Sequence, residues 1–198
     1  MATDAEQVRD ELKTRLRVTT QSISDSNSYD VMDKVQKTLN YALRRRVTTG
    51  TLTETTGTSL YYCTTSIAAD CLRVISMHEA GSCRTVMPLD SWRDFWHYDR
   101  SWLKSTAGTA GRVEAWAHVG HNMIAIYPAS SGTVSCVYLQ DTTTINSSDD
   151  AFYLDDKDID LVYDLCEIVW HLHLRNYREL QHKMDAFAET IAPYVGGQ

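Results

Sequence analysis

Proline is scarce in this chain, at three residues in 198, and the five cysteines include no C-x-x-C pair. An odd number of cysteines without close, paired spacing excludes a disulfide framework and a zinc site of the usual ligand spacing. Cys63, Cys71, Cys136 and Cys166 lie among apolar neighbours and read as reduced core thiols, with Cys83 the exception. No unbroken apolar run approaches the ~18 residues of a membrane span, and mean hydropathy is -0.34. The first residues, Met-Ala-Thr-Asp-Ala-Glu, carry neither a basic nor an apolar leader region, so no secretory signal is expected. The chain is expected to fold in a cytoplasm-like compartment.

Catalytic signatures are missing as well. There is no G-x-S-x-G, no G-x-x-x-x-G-K-[ST] and no G-x-G-x-x-G. Asp156-x-Asp158-x-Asp160 with Glu167 matches four calcium-loop positions, but Leu161 stands where the turn needs glycine, and the following residues are helical in pattern. His171 and His173, two apart on a helix, point roughly 200° apart and cannot share a metal. His118 and His121 flank a turn and lack a third ligand. Asp70-Cys71 has no base beside it, and a buried thiol next to a carboxylate is held protonated. The reading is a protein that is not an enzyme, with no cofactor and no metal.

What is present is an order of patterns. Hydrophobic content of 43% is enough for a real core. The ends carry helical periodicity over Ala5–Leu16, Tyr29–Val47 and Ile159–Val195, whereas Ser59–Leu139 alternates apolar and polar residues in short stretches. Val31, Val35, Leu39 and Leu43 form one helical stripe, and Leu161, Leu165, Ile168 and Leu172 form another. The polar stretch Thr19–Ser28 ends the first helix. Arg175–Lys183 either continues or breaks the last helical region. Strands are expected at Leu60–Cys63, Leu72–Met77, Cys83–Met87, Val113–Val119, Asn122–Tyr127 and Thr133–Leu139, with Thr48–Thr58 as a linker and Ser105–Gly111 a flexible run. The fold class is α+β: a helical bundle from residues 1–50 and 155–198, with an antiparallel β-sandwich or small β-barrel inserted at 58–145.

Charge and aromatics supply the candidate surfaces. The net charge of -7 disfavours sequence-independent binding to DNA. Arg44, Arg45 and Arg46 close the second helix, while aspartates crowd ahead of the last helical region, both placements suiting the helix dipole. Trp92, Phe95, Trp96, Tyr98 and Trp102 fall within eleven residues, with Asp90 as the expected N-cap of a short helix. Core packing is the default for such a cluster. With Arg93, His97 and Arg100 interleaved it also has the composition of an interface hot spot, and base stacking is the third reading.

The order of motifs resembles the head-to-tail adaptor (connector) proteins of tailed bacteriophages, especially those with short tubular tails. Tyr29-Asp30 followed by Leu39-Asn40-Tyr41-Ala42-Leu43-Arg44-Arg45 is similar to the family's second helix. Ala69-Asp70-Cys71-Leu72-Arg73-Val74 resembles the segment that opens a strand, and Asn122–Pro128 resembles the strand that ends in Tyr-Pro. The resemblance implies a structural virion protein of the neck or tail, assembled in the host cytoplasm, that forms a homo-oligomeric ring of twelve subunits beneath the portal. Such a ring extends the DNA channel without binding DNA specifically and docks tail nozzle, tube or fibre proteins, with no membrane partner. Interface candidates on this reading are the helical ends with Arg44, Arg45 and Arg46, the Trp92–Trp102 segment, and a free Tyr194–Gln198 tail entering the portal. The alternatives are a tail-completion or tail-tube protein with a β-sandwich, and a small metal-dependent hydrolase using the Asp-rich stretch.

Overall fold

A computed structural model describes residues 4–17, 24–55, 57–82, 84–100, 102–103, 112–129, 131–154 and 156–195. Cys83, the first half (19–23) of the Thr19–Ser28 stretch, the Ser105–Gly111 run, Asp155 and Gly196–Gln198 lie outside them. The chain divides into two units, Met1–Arg45 with Thr142–Gln198, and Arg46–Asp141.

The first unit is helical. Helix α1 (Ala5–Leu16) starts at Asp4, whose side chain accepts from the Glu6 backbone N–H, and buries Ala5, Val8 and Leu12. Helix α2 (Asp25–Leu43) is capped by Ser24 and begins four residues earlier than the apolar stripe suggests. Its buried face holds Val31, Val35, Leu39 and Leu43 as expected, but also the polar Asp33, Gln36 and Asn40. These polar groups are not errors of patterning. Asp33 accepts from the Ile145 backbone N–H at 3.0 Å, while Gln36 donates to the Thr143 carbonyl and accepts from the Tyr153 N–H at 2.8 Å. Asp33 and Gln36 satisfy the backbone of the segment that returns to the helices, which a buried loop requires.

The last helical region breaks in two. Helix α5 (Ile159–His173) ends before Arg175, which sits at φ 57°, and helix α6 (Tyr177–Val195) runs on from there. The buried side of α5 is Leu161, Val162, Tyr163, Cys166 and Trp170, rotated from the expected stripe, so that Leu172 is 55% exposed. Tyr194 is the penultimate residue of α6 and not part of a free tail.

The second unit contains one seven-stranded sheet with short helices α3 (Cys63–Ser66) and α4 (Phe95–Tyr98). The strands are β1 (Val47–Thr53), β2 (Leu60–Tyr62), β3 (Cys71–Glu79), β4 (Thr85–Leu89), β5 (Ala115–His118), β6 (Met123–Tyr127) and β7 (Thr133–Gln140). Their order is β1-β7-β3-β4-β5-β6-β2. The expected all-antiparallel arrangement is corrected at one step, because β4 and β5 pair in parallel. The connection between them is long and carries a helical segment, which is what a parallel crossover needs. Strand β4 pairs with β3 through Thr85 and Val86, and with β5 through Met87–Leu89.

The linker assigned to Thr48–Thr58 is also corrected, since β1 pairs with β7 over seven residues without a bulge. Threonine is β-branched and favours extended backbone, a tendency that outweighs its frequent use in loops. Gly50 allows the approach: a Cβ there would stand 2.9 Å from both Ile67 Cγ2 and Tyr138 Cε1. One core gathers Leu52, Tyr61, Val74, Met77, Trp116, Ile124, Ile126 and Tyr138. On the opposite face of β5 and β6, Ala115, Ala117 and Ala125 leave room for Phe95 and Trp102.

Candidate interaction surfaces

The aromatic segment divides into packing and exposed members. Phe95 and Trp102 are buried, with ring centroids 4.8 Å apart, and Trp92 packs partly buried on Trp102 at 6.4 Å. Phe95 also meets Tyr127 at 6.2 Å. The alanines of β5 and β6 create this slot, so these three rings are core. Trp96 and Tyr98 are 46% and 48% exposed, and Met87 and Leu103 are exposed too. The helical turn is capped by Ser91 and not by the expected Asp90. The Ser91 hydroxyl accepts from Arg93 N–H while the Asp94 carboxylate accepts from Ser91 N–H, a capping box. A cleft of about 380 Å³ is lined by Pro88, Leu89, Asp90, Asp94, His97 and Tyr98.

The three arginines also separate. Arg44 is the left-handed cap of α2 at φ 50°, exposed, and forms no ion pair with the described residues. Arg45 donates to the fully buried Asp158 at 2.8 Å and lies over the Tyr194 ring at 5.7 Å. It thereby ties the end of α2 to the entry of α5 and the end of α6. Arg46 donates to the Gln140 side chain at 3.2 Å, and Gln140 in turn donates to Asp70 at 2.6 Å. Tyr138 adds a hydroxyl donor to Asp70 at 3.1 Å. The Gln140 hydrogen bond, more than any other group, holds the Asp70 carboxyl below the usual carboxylate range.

Groups weighed for chemistry are engaged in packing. Cys63, Cys71, Cys136 and Cys166 are free and buried. Contact with Cys63, then burial, pushes the Cys71 thiol up, and burial raises Cys136 to about 12. Such thiols are poor nucleophiles. His118 faces the Val74 carbonyl through Nε2 at 2.9 Å, and burial lowers its pKa. Of the calcium-loop set, Asp158 faces Arg45, and Glu167, itself buried, faces Arg15 at 3.6 Å and Lys183. Among the described residues no three His, Cys, Asp or Glu side chains converge on a common point. No described helix is long and apolar enough to cross a membrane.

This is an α+β chain of two separately packed units whose aromatic and cationic groups are divided between internal packing and open surface. The family model described as SU10 adaptor protein matches residues 3–193. The chain belongs to this family of phage head–tail adaptors and is a structural adaptor of the bacteriophage virion. No curated protein matches it.

Sequence reasoning missed the internal roles of Asp33 and Gln36 and the pairing of Arg45 with Asp158. The first had a visible signal: polar residues interrupting an apolar helical stripe. The second had none, since the partners are 113 positions apart.

Proposed function

We propose that the chain is a non-catalytic ring subunit, twelve to a ring, seated beneath the portal at the virion neck. The ring would be assembled in the host cytoplasm, and its lumen continues the DNA channel toward the tail. The family match across residues 3–193 carries this reading. A net charge of -7 supports a lumen that DNA traverses without sticking, because like charge removes the counterion-release term. Trp96 and Tyr98, exposed beside the cleft, are the side chains offered to a tail protein.

The test is native mass spectrometry with negative-stain imaging of the chain mixed with the portal protein of the same virus. A twelve-fold ring on one end of the portal is the expected result. Association with a tail-tube protein and not the portal would move the chain to the tail. Trp96→Ala/Tyr98→Ala should leave ring formation and stability intact, the latter within ~0.5 kcal/mol as for other surface changes. The same variant should weaken docking of the tail component at least tenfold; unchanged docking would remove this surface from the reading.

A further inference from the structure

The seven-stranded sheet has two edges, β1 and β2, and they are finished differently. Strand β2 is three residues long and passes directly into α3. Its bonds to β6 run through the Ser59 carbonyl and the Cys63 N–H, so only Leu60 and Tyr62 turn main-chain groups outward. Strand β1 has seven residues, Val-Thr-Thr-Gly-Thr-Leu-Thr, with no charge, no proline and no bulge. Natural edge strands are usually short or carry one of those devices, because an open row of N–H and C=O groups pairs with other chains.

The register of β1 on β7 decides which of its groups are open. The Gln140 N–H donates to the Arg46 carbonyl at 2.8 Å, and the Glu54 N–H donates to the Gly132 carbonyl at 2.9 Å. Hydrogen-bonded and non-hydrogen-bonded pairs alternate along an antiparallel ladder, so Thr48, Gly50 and Leu52 also turn their main chain toward β7. Val47, Thr49, Thr51 and Thr53 turn theirs away from it, and among the described residues no main-chain bond meets them. The side chains of these same residues are exposed, Val47 at 47%.

We infer that β1 is a pairing edge for a second copy of this chain, strand against strand and antiparallel about Gly50. The strand is complementary to itself in that register, with Val47 of one copy opposite Thr53 of the other and Thr49 opposite Thr51. These are the residues whose N–H and C=O turn outward, so each pair exchanges two bonds and the contact gains about eight. Opposed threonines and β-branched side chains make favourable cross-strand pairs. The next pair outward sets Arg46 opposite Glu54, so unlike charges flank the contact at both ends. At ~3.4 Å per residue the paired strand is roughly 24 Å long, a narrow contact well below the ~1,000 Å² of a stable interface. The dimer is therefore weak and forms at high concentration. A two-fold contact closes at two copies, so it is separate from the head-to-tail contact that a ring repeats and does not rest on the ring reading.

The test is sedimentation velocity of the full chain without portal over a concentration series, with residue-resolved amide exchange at the two extremes. A dimer should grow with concentration. The amides of Thr49, Thr51 and Thr53 should gain protection in it, while those of Thr48, Gly50 and Leu52, bonded to β7, stay protected throughout. Thr49→Lys/Thr51→Lys sets lysine opposite lysine and should weaken the dimer roughly tenfold or more. Thr49→Lys/Thr51→Glu sets each lysine opposite a glutamate of the other copy and should restore it. Both variants change exposed side chains and keep every bond to β7, so an unchanged melting temperature separates lost pairing from lost folding. A monomer at every concentration overturns the inference, as does a dimer that the two variants affect equally or one that leaves Thr49 and Thr51 unprotected. A ring on the portal with no dimer in its absence leaves the functional reading standing and removes this edge; a dimer without portal binding does the reverse.

Discussion

Removing Arg45 should destabilise the helical unit more than a loss of surface charge would. Its Nη2 lies 2.8 Å from Oδ1 of Asp158, a residue with no exposed surface. Truncating one partner of a buried ion pair strands the other charge in a poorly solvated place, which costs about 3–5 kcal/mol. Loss of the contact with Tyr194 adds about 0.5–1 kcal/mol. Yet the pair is joined at one point only. Arg45 Nε and Asp158 Oδ2 are buried without a partner among the described residues. Replacing both members with apolar residues therefore removes two unsatisfied groups along with one good bond. Arg45→Met/Asp158→Leu is expected within about 1 kcal/mol of the parent, or more stable. Urea unfolding followed by helical circular dichroism reads this directly. With a slope of about 2 kcal/mol/M, Arg45→Ala should lower the midpoint by about 1.8–3 M. A shift below about 0.5 M, or a double variant as damaged as the single one, would refute the reasoning and return Arg45 to the set of open interface cations.

Gly50→Ala should destabilise the β unit by about 1–3 kcal/mol, because the new methyl overpacks against Ile67 and a Tyr138 ring held by Asp70. Thermal melting checks this, and Ile67→Ala in the same chain should recover part of the loss. Burial, reinforced by the charge of Glu167, raises the Asp164 pKa above its ordinary value near 3.8. Its native form thus binds its proton more tightly than the unfolded one, and its ionisation destabilises the fold progressively as pH rises through the raised value. Asp164→Asn should consequently shift the urea midpoint upward at pH near 7 and lose that advantage as pH approaches about 4; an advantage that grows on acidification would contradict the sign.

Much of the fold was legible because its signals are local. Helix α1 falls on the expected residues, and the strands from β2 to β7 lie within a few positions of theirs, since period and turn chemistry act over short stretches. What was not legible depends on distant partners. Strand β1 is Thr- and Gly-rich like a loop and becomes a strand because β7 lies beside it. The parallel step between β4 and β5 follows from the crossover through the aromatic segment, not from any residue within either strand. Of the candidate surface residues, the sequence places Trp92, Phe95, Trp96, Tyr98 and Trp102 together but cannot sort them. The sorting comes from three alanines on β5 and β6, whose small side chains admit Phe95 and Trp102 and leave Trp96 and Tyr98 outside.

That sorting argues for a way of finding contact surfaces in an assembly protein. Hot-spot composition selects aromatic and arginine residues, but the same residues are those best suited to internal cores and caps. Composition alone therefore points to Phe95 and Arg45 as readily as to Trp96 and Arg178. Subtracting the internal partners separates them. Phe95, Trp102, Arg45 and Arg46 are each accounted for by a ring, a carboxylate or an amide of their own unit. Trp96, Tyr98, Arg44, Tyr177 and Arg178 remain exposed after folding. Folding gains nothing from an exposed Tyr177, whereas burying its ring against a partner removes apolar area at roughly 25 cal/mol per Å². The residues left over are where association has free energy still to gain.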